Sequence, residues 1–119
     1  MAVPDYKDLI AWQRAMDLVV EIYELSRCFP ADERFGLTNQ LRRAAVSVPS
    51  NIAEGQGRGF SKDFQHFLGI ANGSRQEAET QILIACRLGF LNEQSIDATL
   101  ERIRELGRIR SGLRASVTP

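Results

Sequence analysis

The chain has 119 residues, 44% apolar and 25% charged, with fifteen basic and fifteen acidic side chains. That is one domain of ordinary globular composition, and a zero net charge argues neither for nor against a polyanionic partner. Cys28 and Cys86 are too few and too far apart for a disulfide framework or a zinc site. No apolar run reaches the ~18 residues of a membrane span and no signal-peptide pattern is present, so no membrane association is expected and the expected location is cytoplasmic.

Residues 1–6 read as a tail in which Pro4 blocks an early helix start. From Lys7 to Cys28, Leu9, Trp12, Met16, Val19, Val20 and Tyr23 mark one amphipathic helix, with Asp17, Glu21 and Glu24 opposite. Phe29-Pro30 ends it, because the residue before a proline is pushed out of the helical region. Asp32-Glu33-Arg34 opens a turn leading through Gly36 into a second helix, and Phe29 with Phe35 is expected to plug one end of the molecule.

In that second helix, apolar residues at 37, 41, 45, 48 and 52 keep helical spacing. Arg43, Ser47, Asn51, Glu54 and Arg58 form a polar stripe on another face. Pro49 lacks an N–H and crowds the carbonyl of Ala45, which predicts a kink near 45–49, with Ser47, Ser50 and Asn51 placed to satisfy freed backbone groups. Gly55, Gly57 and Gly59 follow. No strand precedes them and neither GxxxxGK[ST] nor GxGxxG is present, so they read as a helix end and tight connection and not as a phosphate loop.

A third helix is expected from an N-cap at Ser61 to about Gly89, with Asp63 favoured in its first turn. Gly73-Ser74 in its middle costs propensity, and the expected return is close approach of another helix. Phe60, Phe64, Phe67 and Ile70 cover more arc than one core stripe needs, a surplus that suits an interface. A fourth helix runs from about Glu93 to Leu113, with Ile96, Leu100, Ile103, Leu106, Ile109 and Leu113 inward, and residues 114–119 are expected to fray. Segment charges alternate: −4 over residues 1–33, +4 over 34–62, −3 over 63–97 and +3 over 98–119. Such alternation either draws helices or subunits together or reflects solvated faces that differ in sign. The chain therefore reads as all-α, an antiparallel up-and-down four-helix bundle over residues 7–113 with a second helix kinked at Pro49.

Gln40-Leu41-Arg42-Arg43-Ala44, followed by Ser47-Val48-Pro49-Ser50-Asn51-Ile52-Ala53-Glu54-Gly55, resembles the signature of the 23S rRNA intervening-sequence proteins, a family of small four-helix-bundle proteins. The likeness extends to Trp12-Gln13, Phe29-Pro30, Phe35-Gly36-Leu37 and the stretch from Phe67 to Glu77, and so spans roughly residues 6 to 113. It implies the same fold and a homo-oligomer, a ring of five in the better-studied members. Some relatives bind nucleic acid beside a reverse transcriptase and are markedly basic, whereas this chain is neutral. Arg75 stands where the family more often has a small or apolar residue.

His66 is the one histidine, so neither a His-based metal cluster nor a Ser-His pair can form within a subunit, and no cofactor or metal is expected. Glu54 and Glu77 could serve as an acid/base pair. The preferred reading is a polar seam of Ser47, Asn51 and Glu54 against Ser74, Glu77 and Gln81, with Arg42 and Arg43 as charge partners. Candidate nucleic-acid contacts are Arg42, Arg43, Arg58 and Lys62, together with Arg102, Arg104, Arg108, Arg110 and Arg114 of the last helix. The competing reading of that last helix is a solvated face with Glu101–Arg104 and Glu105–Arg108 ion pairs. The functional expectation is a non-enzymatic, homo-oligomeric scaffold associated with RNA, pentameric by resemblance. The alternative is an assembly module that binds protein alone.

Overall fold

The computed structural model describes residues 5–117. Residues 1–4, with the expected block at Pro4, and residues 118–119 lie outside it. Four α-helices carry the fold: α1 (Ile10–Leu25), α2 (Leu37–Gly57), α3 (Ser61–Arg87) and α4 (Glu93–Ser116). Short 3-10 turns at Tyr6–Asp8, Ser26–Cys28 and Ala31–Glu33 bracket α1 and lead into α2. The first helix is thus shorter at both ends than its apolar pattern predicts, because Asp5 caps a separate turn through Lys7 N and Ser26–Cys28 tightens ahead of Pro30.

Each helix packs on its neighbour in sequence, and α1 also packs on α4. The shared core is Ile22 of α1, Leu41 and Ile52 of α2, Leu68 and Ile82 of α3, and Ile103 and Leu106 of α4, all sealed from solvent. These residues recur at helical spacing, so one stripe per helix is removed from water. Phe29 closes one end against Phe90, with ring centroids 5.7 Å apart, and is only 8% exposed. The expected partner, Phe35, is 84% exposed beneath the Arg34 guanidinium, since the turn at Ala31–Glu33 carries it away from Phe29.

Helix ends follow local chemistry. Gly89 takes a φ of +82°, Gly89 N donates to Cys86 O, and Phe90 N donates to Ala85 O, the paired bonds that stop a helix at a glycine. Asn92 Oδ1 accepts from Ser95 N at 2.7 Å and starts α4. Ser61 is not the cap of α3: Phe60 holds that position without a side-chain bond, and Asp63 lies in the first turn as expected. α4 continues to Ser116, one turn past Leu113.

The backbone's closest approach also lies elsewhere than expected. A Cβ at Gly73 would meet nothing within 4 Å, whereas one at Gly55 would stand 2.6 Å from Phe67 Cβ and 3.2 Å from Phe64 Cδ1. The notch between α2 and α3 is therefore Gly55, and it takes up Phe64 and Phe67, half-buried there, while Phe60 and Ile70 stay exposed.

Candidate functional site

The polar face of α2 towards α3 begins with Ser47, whose hydroxyl lies 2.9 Å from that of Ser74. Asn51 Nδ2 donates to both the carbonyl and the hydroxyl of Ser47, and Ser50 Oγ donates to Val46 O. Donors one turn on thus serve the carbonyls of Val46 and Ser47, beside the carbonyl of Ala45 that Pro49 cannot bond. The remaining residues expected in this seam are placed differently. Glu54 turns to Arg58 of its own helix at 2.8 Å, Glu77 is exposed, and Gln81 is buried with its Oε1 unpartnered. Glu77 and Gln81 instead line a shallow groove with Asn39, Gln40 and Arg43.

Basic side chains fall into two groups. On α4, each of three arginines meets a carboxylate: Arg102 meets Glu21, Arg104 meets Glu79 at 3.5 Å, and Arg108 meets Glu101 at 2.9 Å. The expected Glu101–Arg104 and Glu105–Arg108 pairs are not formed, because Glu79 of α3 and Arg14 of α1 lie closer to Arg104 and Glu105 than their helical neighbours do. Arg110 faces inward. Its Nε is buried without a partner, and burial first, then Arg114 and Arg75, lower its pKa below the ordinary arginine value. Arg75 is nearly enclosed, laid over Gly107 and donating to Asn72 Oδ1 and to Ile103 O.

The other group lies around the start of α2. An open groove of about 550 Å³ is lined by Tyr23, Arg34, Thr38, Asn39, Arg42, Arg43, Val46 and Ser47, with no carboxylate among them. Arg42 is fixed there: its Nε donates to Ser26 Oγ at 2.9 Å, its Nη2 reaches Tyr23 O at 3.4 Å, and its guanidinium sits 4.6 Å from the Tyr23 ring centroid. Ser26 is itself held by its bond to Ile22 O. Arg43 and Lys62 are exposed and engage no hydrogen bond or ion pair among the described residues. Arg58 is tied to Glu54 and also lies 5.0 Å from the Phe67 ring centroid.

Of the sequence-nominated cations, only Arg42 and Arg43 share this groove. Arg34, Thr38 and Asn39 are the residues that sequence reasoning missed as site members. Gly36 joins them to it: a side chain there would collide with Glu33 Oε1, which reaches over to accept from Leu37 N at 3.0 Å. The groove between α1 and α4, by contrast, mixes Arg14 and Arg102 with Asp17, Glu21 and Glu105.

Among the described residues no group of three or more His, Cys, Asp or Glu side chains is placed to hold a metal ion, and no helix is long and apolar enough to cross a membrane. No curated protein matches the chain. The family model of the 23S rRNA-intervening sequence protein matches residues 7–112, nearly the whole of the helical region just described. The chain belongs to the 23S rRNA-intervening sequence protein family.

Proposed function

We propose that this protein is a non-catalytic, cytoplasmic scaffold that associates with RNA through the groove at the start of α2 and works as a homo-oligomer, a pentamer by family resemblance. The observation that carries the reading is the groove's composition: Arg34, Arg42 and Arg43 gather there with no carboxylate in the lining. Unneutralised arginines in one concavity focus positive potential, and a nucleic-acid backbone is the ligand that uses it. Arg58, Lys62 and the α4 arginines contribute weaker, peripheral charge. Arg58, Arg102, Arg104 and Arg108 are neutralised by carboxylates, the Arg110 Nε is buried, and the exposed Lys62 and Arg114 lie outside the groove lining. In this reading the four helices run up and down antiparallel and α2 bends at Pro49, which brings Ser47 and Asn51 against α3 as the inner part of the polar seam. Exposed Met16, Val20 and Phe60 support assembly with further copies, and they equally favour a second reading, a module that binds protein alone.

RNA binding measured across a salt series separates the two. Phosphate contacts from Arg34 and Arg43 on a single strand predict a slope of log K against log salt of about −1.4, and about −2 if Arg42 also meets a phosphate. No binding at low salt removes the RNA reading and leaves the assembly module. A strict monomer by light scattering removes the oligomer.

A further inference from the structure

We infer that the groove seats one unpaired nucleotide, its base stacked on the Arg42–Tyr23 pair and its phosphates on Arg34 and Arg43, so that the protein selects single strands over duplex. This rests on the RNA reading above and names the form of nucleic acid.

The three arginines are not equivalent. Arg42 is held by Ser26 Oγ, Tyr23 O and the Tyr23 ring, which removes most of its freedom to follow a phosphate. A guanidinium immobilised on an aromatic ring and lining an open groove is instead a flat, cationic stacking surface, of the kind that holds splayed-out bases. Arg43 and Arg34 are exposed and free of carboxylates, so they retain the reach that phosphate contacts need. Thr38 and Asn39 add hydrogen-bonding groups beside the stacking surface, and a space of about 550 Å³ lies within the usual size of small-ligand sites, roughly 300–1,000 Å³.

A duplex gains little here. Its base faces are already stacked on one another, and it is read by contacts to both backbones over about 16 base pairs. Such a track needs unneutralised cations along a face. On α4, Arg102, Arg104 and Arg108 are neutralised by Glu21, Glu79 and Glu101. That leaves Arg114, at the far end of the helix, as its one exposed cation without an ion pair among the described residues, and the shallow groove beyond Arg43 carries Glu77.

The test is fluorescence anisotropy of the full chain at low salt with a labelled twenty-nucleotide RNA, long enough for its blunt duplex to offer a full duplex track, that duplex, and the same strand bearing abasic sites throughout. The single strand is expected to bind at least about tenfold more tightly than the duplex or the abasic strand. Tyr23→Ala should lose about 5- to 100-fold for the single strand and little for the duplex. Arg42→Lys, which keeps the charge, should do the same, while Arg43→Ala should weaken both forms. If circular dichroism finds Tyr23→Ala unfolded, Arg42→Lys and the abasic strand decide. Equal binding of single strand, duplex and abasic strand overturns the nucleotide seat and leaves RNA association standing. Absence of binding to all three overturns both.

Discussion

Alanine at Gly55 and alanine at Gly73 should move stability in opposite directions, though both positions lie inside helices. A Cβ at Gly55 would sit 2.6 Å from Phe67 Cβ, well short of ordinary contact, and 3.2 Å from Phe64 Cδ1. Phe67 Cβ is fixed to its backbone, so no rotamer change relieves the clash and α2 and α3 must part by several tenths of an ångström. Forcing atoms into a filled interface costs about 1–3 kcal/mol, against which the better helix propensity of alanine returns about 1 kcal/mol. The net expectation is a loss of up to about 2 kcal/mol, or up to roughly 10 °C in Tm for a domain of this size. At Gly73 the new methyl meets nothing within 4 Å and the backbone is helical, so only the propensity gain remains, about 0.4–1 kcal/mol. Thermal and urea unfolding followed by circular dichroism measure both, and an unchanged urea slope confirms that the change is one of stability. A Gly55→Ala protein stabilised as much as Gly73→Ala would refute the packing argument. A destabilised Gly73→Ala protein would mean that something covers that face.

Three further changes test separate parts of the account. Ser47→Ala, Ser74→Ala and the double variant form a cycle; each single change should cost about 1 kcal/mol, and the double should cost clearly less than their sum, because the two hydroxyls bond each other. Arg110→Met should be neutral or stabilising by up to about 1 kcal/mol, since it removes a buried Nε that has no partner. The Arg110 pKa is lowered on folding, so the folded chain holds that proton less tightly than the unfolded one; the cost persists at every pH below the folded value and lifts only in strongly alkaline solution. Unfolding measured between about pH 6 and 9 should therefore give the same gain throughout. Arg43→Ala should leave Tm within experimental scatter, its side chain being exposed and without an ion pair, while reducing the salt slope of RNA binding by about 0.7.

Where the sequence reading and the structure agree, the information was local. Apolar spacing in α2 and α3 reports which face of each helix leaves water: Leu41, Ala45, Val48 and Ile52, and Leu68, Ala71, Ala78, Ile82 and Ala85, are buried, with Leu37, Phe64 and Phe67 half-buried at the edge. Phe29-Pro30 stops the first helical segment, and Gly59 and Gly89, at φ of +79° and +82°, form the connections on either side of α3. The candidate site was half legible. Arg42 and Arg43 stand out in the chain, but Arg34 lies across a glycine from them, in a turn, and nothing in its spacing announces that it shares their groove.

What the sequence by itself determined is the set of helices and the stripes that α2, α3 and α4 bury, because periodicity and termination depend on residues within a few positions of one another. In α1 the large side chains marked as the apolar face, Leu9, Trp12, Met16, Val19, Val20 and Tyr23, are half-buried or exposed, and Ala11, Ala15, Leu18 and Ile22 are the buried ones. The tertiary structure alone decided the partners: Phe90 and not Phe35 for Phe29, Gly55 and not Gly73 for the notch, and Glu21, Glu79 and Glu101 for the arginines of α4. A side chain's charge or size is written in the chain. The atom it meets depends on which helix lies opposite and at what depth, and that is set by packing all four stripes into one core at once.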